Sequence, residues 1–304
     1  VFTSGHPGAT QRQNTVAHLE YLRDLGMPWS LTVLERRHAA LTQYAARGPE
    51  QMRQVKDEIF GIENALKSRR GQLQGLKDAA TMARKAQDEK ALRDAVAADA
   101  AMKTEIGDPW SQVAAARKGL PAYAKEYEML EGAGGFATRL YSLARTIVRL
   151  AEENAKPNDQ RLPEFGQARR TSLERALYSP APIYPEAEQA KLADSLAFMQ
   201  QTLGPTHDAV KIALAGKTPE ARAAELIAGT TLVDVKARKA LVEGGAGALS
   251  ASSDAMVQLA RALDPAARAL RTRFENEVTS VERDAYAKIA QARFKAHGTG
   301  AYPD

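Results

Sequence analysis

From Val16 onward, apolar residues recur three and four positions apart, and that spacing predicts helices. Val16, Leu19, Leu22 and Leu25 form the first run, which Gly26 and Pro28 close. Ser30 offers a cap for a second helix carrying Leu31, Leu34 and Leu41, and Gly48-Pro49 breaks it. The most regular stretch follows. Met52, Val55, Ile59, Ile62 and Leu66 make one apolar stripe, with Arg, Lys, Gln and Asp on the other faces. Gly71 interrupts it, and Leu73, Leu76 and an Ala-rich charged run continue to Met102. The scarcity of large apolar residues after Leu76 predicts an arm that packs on a single neighbour. Its shape is either an antiparallel helical hairpin or one long, kinked rod.

Asp108-Pro109 is a strong start signal, an N-cap acid before a proline at the first helical position. Helices follow through Leu140, Leu143, Ile147 and Leu150, then through Leu173 and Leu177, then through Leu192, Leu196 and Met199 up to Gly204-Pro205. The stretches ENAKPNDQRLPEF and SPAPIYP between them read as a loop and a turn from their Pro, Asn and Asp content. Thr218-Pro219-Glu220 starts another helix, Asp234 to Leu241 forms a short one, and EGGAGALSASSD reads as a loop. The last long helix is expected from about Pro265 to His297, with Leu270, Phe274, Val278, Val281, Ile289 and Phe294 along it.

The pattern changes only at the ends. VFTSGHPG reads as a strand entering a tight turn, and HGTGAYPD as a turn into an extended segment. No repeat of solenoid period is visible. The expectation is an all-α antiparallel helical bundle over residues 14–297. Short strand-like fringes at 1–13 and 298–304 would belong to a larger enzyme into which the bundle is inserted, since inserted domains need their ends close together.

Composition narrows the chemistry more than the fold. Of the 304 residues 44 % are hydrophobic and 6 % aromatic, which supports a real core and favours helices over sheets. A net charge of +5 is mild for this length and carries no aromatic-studded basic groove, so nucleic acid is not an expected partner. No apolar run approaches membrane-spanning length, so no membrane partner is expected either. There is no cysteine, hence no disulfide or thiolate chemistry.

The five histidines, His6, His18, His38, His207 and His297, form no metal-binding spacing. His18 and His38 read as structural or solvated side chains on helices, and His207-Asp208 as a local cap. GGAGALSASSD lacks the Gly-Lys-Ser/Thr of a phosphate loop and reads as an interhelical turn. Without a GxSxG elbow, Ser250, Ser252 and Ser253 have no nucleophile context. From the residues alone no complete active site emerges, and no metal or cofactor is called for.

Several segments, taken in order, resemble a known family. They are SGHPGATQR, IENALKSRRG, AEENAKPNDQRLPEF, LVEGGAGALSASSDAMVQLA, DPAARALR, AYAKIAQARF and the terminal YPD. The family is that of the bacterial serine dipeptidyl-peptidases that includes dipeptidyl-peptidases 7 and 11. The resemblance implies a chymotrypsin-like double β-barrel carrying a Ser-His-Asp triad, with a large helical domain inserted in it that caps the cleft. This chain looks like that inserted domain. The catalytic His and Asp would then precede Val1 and the Ser would follow Asp304, so no triad residue is carried onto this sequence.

One substrate contact does carry over. A family Asn in an Ala-Asn-Ser-Trp-Lys-like run helps hold the peptide's free α-amine, and the matching run here is Glu63-Asn64-Ala65-Leu66-Lys67. Asn64 and Lys67 are kept, while Leu66 replaces the aromatic. Counting about 100° per residue puts Asn64 roughly 200° from Ile62, away from the apolar stripe, with Phe60 and Lys67 on its face. Gly61 and Gly71 could admit another backbone close by. The resemblance implies a periplasmic parent whose signal peptide lies outside this stretch, an oligopeptide substrate with a free N-terminus, and the catalytic barrel of the same parent chain as partner. The alternative is a stand-alone helical scaffold that binds protein partners through its long rod.

Overall fold

A computed structural model describes residues 13–298. Both strand-like fringes lie essentially outside these residues. Of the described residues 84 % are helical and none is in a strand, so the all-α class holds. Among the described residues there are fifteen α-helices. They are α1 Val16–Tyr21, α2 Met27–Ala45, α3 Pro49–Lys77, α4 Ala79–Ala98, α5 Ala100–Ile106, α6 Pro109–Gly119, α7 Ala124–Leu130 and α8 Arg139–Asn154. The remainder are α9 Arg170–Leu177, α10 Pro185–Leu203, α11 Asp208–Leu214, α12 Pro219–Ala228, α13 Val235–Ala251, α14 Ala255–Phe274 and α15 Ser280–His297. None of the described helices is long and apolar enough to cross a membrane.

Local signals set many of the ends. Asp108 accepts from the Ser111 N–H ahead of Pro109, and Thr218 does the same for Ala221 ahead of Pro219. His207 caps α11 through its ring nitrogen, which accepts from the Ala209 N–H at 3.2 Å. Gly48 lies between α2 and α3, and Gly204, at φ 87°, closes α10.

Other boundaries differ from the sequence expectation. Gly26 and Pro28 do not end a helix. A widened turn over Leu22–Gly26, in which the Met27 N–H reaches back to the Leu22 carbonyl, carries α1 into α2 and accommodates the bond that Pro28 cannot donate. Ser30 therefore sits inside α2 rather than at its cap. Gly71 does not interrupt α3, which runs on to Lys77.

Asp78 alone, in extended conformation, separates α3 from α4, and the two helices do not lie side by side. The arm is thus a broken rod in place of a hairpin. EGGAGALSASSD is a loop only in part. Gly245 (φ 55°, ψ −142°) leaves the helical conformation and kinks α13, a second helical piece runs to Ala251, and Ser252 to Asp254 lie outside the helix. Pro265 lies inside α14, which starts ten residues earlier at Ala255. Burial of Met256, Val257, Leu259 and Leu263, each contributing about 1.5–3 kcal/mol, outweighs the cost of about 3 kcal/mol for an interior proline.

The chain divides into two compact units. One gathers the residues up to Thr32, Ala65–Ala122 and those from Thr272 onward. Its core joins Leu92 and Val96 of α4, Met102 and Ile106 of α5, Trp110 of α6, and Ile289 and Ala292 of α15. No residue between Leu66 and Leu92 is buried, as the apolar scarcity predicts, but from Leu92 on α4 packs against α15 and α1 rather than a single neighbour. Arg117 donates to both carboxylate oxygens of Glu282, at 2.5 and 2.7 Å, and so ties α6 to α15.

The second unit holds Val33–Asn64 and Tyr123–Arg271. In it α10 packs on α12 and on the tight turn Gly134–Phe136, and α8 packs on α13. A buried charge network crosses this core. Arg149 donates to Asp264 at 2.6 Å and to both oxygens of Glu131, while Arg268 joins Asp264 at 2.6 Å and Glu153 at 2.8 Å.

Candidate functional site

Asn64 lies in α3, and its side chain is exposed and makes no hydrogen bond among the described residues. The period placed it correctly. Val55, Ile62 and Leu66, at 2–6 % exposure, form the buried stripe and Ile59 is half-buried, but Met52, expected in the stripe, is 45 % exposed near the start of α3, and Phe60 and Lys67 stand exposed on the Asn64 face. Asn is a mediocre helix former, costing up to about 0.7 kcal/mol against Ala, so local propensity does not account for it there.

Polar contacts with α2 and α10 hold this part of α3. The Tyr44 hydroxyl donates to Gln54 at 2.5 Å, Arg37 meets Glu58 at 3.3 Å, and Arg53 donates to the Tyr184 hydroxyl at 3.2 Å. Lys191 of α10 reaches both Glu58, at 3.0 Å, and Glu188, at 2.6 Å. Burial works against the Lys191 charge, but the two carboxylates outweigh it and raise its pKa above the usual lysine range. Next to Asn64, the Glu63 carboxylate meets His38 Nε2 at 3.2 Å. The platform that carries Asn64 is therefore fixed by residues that no spacing along the chain joins.

The apolar stripe holds at Leu66. Leu66, which stands where the resemblance has an aromatic, is 6 % exposed and faces the core, so it presents nothing to a ligand. Nothing lies within 4 Å of a Cβ built on Gly61 or Gly71, so the space beside both glycines is open and no described residue of this chain fills it.

The ring partners of His18, His38 and His207 are a tyrosine hydroxyl, carboxylates and a backbone N–H, and among the described residues no three His, Asp or Glu side chains are grouped to hold a metal ion. His6 lies outside the described residues. His18 is half-buried beside Tyr286, whose hydroxyl is 2.6 Å from Nδ1, and Glu282 lies 3.6 Å away. Burial, with Arg117 adding repulsion, pushes its pKa down to about 3, so the ring is neutral near pH 7. The partners in this cluster lie up to 268 residues from His18, and no spacing in the sequence signals it.

The sequence was also compared with known proteins. It matches the family model described as Peptidase S46 over residues 1–304. No curated protein matches it.

Proposed function

The chain belongs to the peptidase S46 family, whose members are peptide-bond hydrolases, and from that premise we propose that it is the helical cap of a periplasmic serine dipeptidyl-peptidase. The all-helical fold fits the helical domain of the family's dipeptidyl-peptidases. In this proposal the parent enzyme releases dipeptides from the free N-terminus of oligopeptides. The Ser-His-Asp triad belongs to a β-barrel of the same polypeptide, and the isolated chain is inactive. The cap closes the cleft beyond two residues, and Asn64 holds the substrate's ammonium group.

The observation that carries this reading is Asn64 itself, an exposed, unbonded amide on the polar face of a fixed helix, in the run matching the family's amine-binding Asn. Its side-chain oxygen can accept from an ammonium, whereas the Lys67 ammonium repels one and must point elsewhere. A hydrogen bond to a charged group contributes about 1.5–3 kcal/mol. Asn64→Ala in the full-length peptidase is therefore expected to lower kcat/KM on dipeptidyl substrates by roughly tenfold to a hundredfold, with the fold intact. If the variant matches the wild type, Asn64 is a surface residue only and the site assignment fails.

A further inference from the structure

We propose that the cleft formed by α10, α12 and the turn after α2 binds a small zwitterion, a free amino acid or a dipeptide. Arg47 takes its carboxylate, and Glu186 and Glu220 take its ammonium. The cleft measures about 190 Å³ and lies wholly within the second unit. Sites for drug-sized ligands start at about 300 Å³, so the occupant is smaller. Ala190 and Ala193 of α10 line the cleft and, three residues apart, share one helical face. One positive and two negative side chains stand around that small apolar surface.

Opposite charges around one cleft ordinarily pair. Elsewhere in this unit they do: Arg53 meets Glu50, and Lys217 and Arg222 both meet Glu225. The side chains of Arg47, Glu186 and Glu220 make no ion pair or hydrogen bond among the described residues. Each is nonetheless held in place. Glu186 and Glu220 stand in the first turns of α10 and α12, and Arg47 follows the last turn of α2, where the helix dipoles favour these signs. The Arg47 guanidinium lies 5.1 Å from the centre of the Tyr44 ring, which is 1 % exposed and anchored by its hydroxyl to Gln54. That contact occupies the guanidinium's face and leaves its N–H edge open, and a carboxylate accepts two parallel bonds from such an edge. A plain anion in this cleft meets two repelling carboxylates, and a plain cation meets the guanidinium. A zwitterion is matched by all three, and it bridges charges that do not reach each other.

Free amino acids share this chemistry with the dipeptides that the proposed reaction releases, and the ligands tested tell them apart. Leucine and glycyl-leucine are titrated by calorimetry into the full-length peptidase, wild type and Arg47→Ala. Leucinamide, which lacks the carboxylate, and N-acetylleucine, which lacks the ammonium, are titrated beside them. Arg47→Ala should bind the zwitterion about tenfold more weakly, the low end for a hydrogen bond to a charged group, and should bind leucinamide as the wild type does. Glu186→Gln with Glu220→Gln should weaken leucine by a similar factor and leave N-acetylleucine no weaker. All three side chains are exposed, so Tm should not move. Tighter binding of glycyl-leucine identifies the dipeptide as the occupant, and tighter binding of leucine the free amino acid. Equal binding of both zwitterions by wild type and Arg47→Ala overturns this inference. So does loss of the Arg47-dependent binding in Asn64→Ala, which would place the ligand at Asn64 instead. An unaltered kcat/KM in Asn64→Ala overturns the amine reading alone.

Discussion

Replacing Arg149 with alanine removes the centre of the buried charge network. The Arg149 side chain is 5 % exposed, and it bonds Asp264, 2 % exposed, and Glu131, 10 % exposed. Burial opposes its charge, but the two carboxylates more than compensate and raise its pKa above the ordinary arginine value. Removing one partner of a buried pair costs about 3–5 kcal/mol, because the other charge stays buried without compensation. Here the loss is at the low end, about 3 kcal/mol, since Arg268 still bonds Asp264 at 2.6 Å. In a unit of this size each kcal/mol moves the midpoint by about 2–4 °C, so Tm should fall by about 6–12 °C.

Scanning calorimetry of the purified protein measures this directly, with Arg273→Ala as control. The Arg273–Glu277 pair is 47 % and 49 % exposed, and its loss should shift Tm by less than about 2 °C. If Arg149→Ala shifts Tm no more than Arg273→Ala, the network does not stabilise the core as argued.

Two further outcomes follow from single positions. The folded pKa of His18, about 3, lies below its unfolded value, so the neutral ring's contribution is complete above about pH 6.5 and is lost as pH falls toward about 3. His18→Gln should therefore flatten the decline of stability between those limits, measured as Tm against pH, and a slope equal to that of the wild type refutes the assignment. Gly245 occupies a backbone region reserved for glycine, so Gly245→Ala should destabilise by about 1–3 kcal/mol. Gly71, mid-helix with open space around it, should give the opposite sign, with Gly71→Ala stabilising by about 0.5–1 kcal/mol; shifts in Tm of the same sign would show that one of the two backbone arguments is wrong.

Where a structural decision depended on atoms only a few residues apart, the sequence determined it. Asp108 before Pro109, Thr218 before Pro219 and the His207 cap are each closed by a hydrogen bond spanning two or three residues, so residue type and order suffice. The stripe of Val55, Ile62 and Leu66 is equally local, because helical period alone assigns faces, and it put Asn64 and Phe60 opposite the core.

Tertiary structure decided what no local rule reaches. Pro265 stays inside α14 and the glycine-rich stretch returns to helix after its kink at Gly245, since burial of Met256, Val257 and Leu249 outweighs weak local propensity. Arg149 meets Asp264 across 115 positions and His18 meets Tyr286 across 268, pairings that exist only once the helices are packed. The same holds for the candidate site. Period gives the face on which Phe60 stands, but whether another helix covers that face depends on chain segments far away in the sequence. The packed structure leaves Phe60 in solvent and buries Leu66, because burial is a property of all the neighbours at once and not of a residue's own position along its helix.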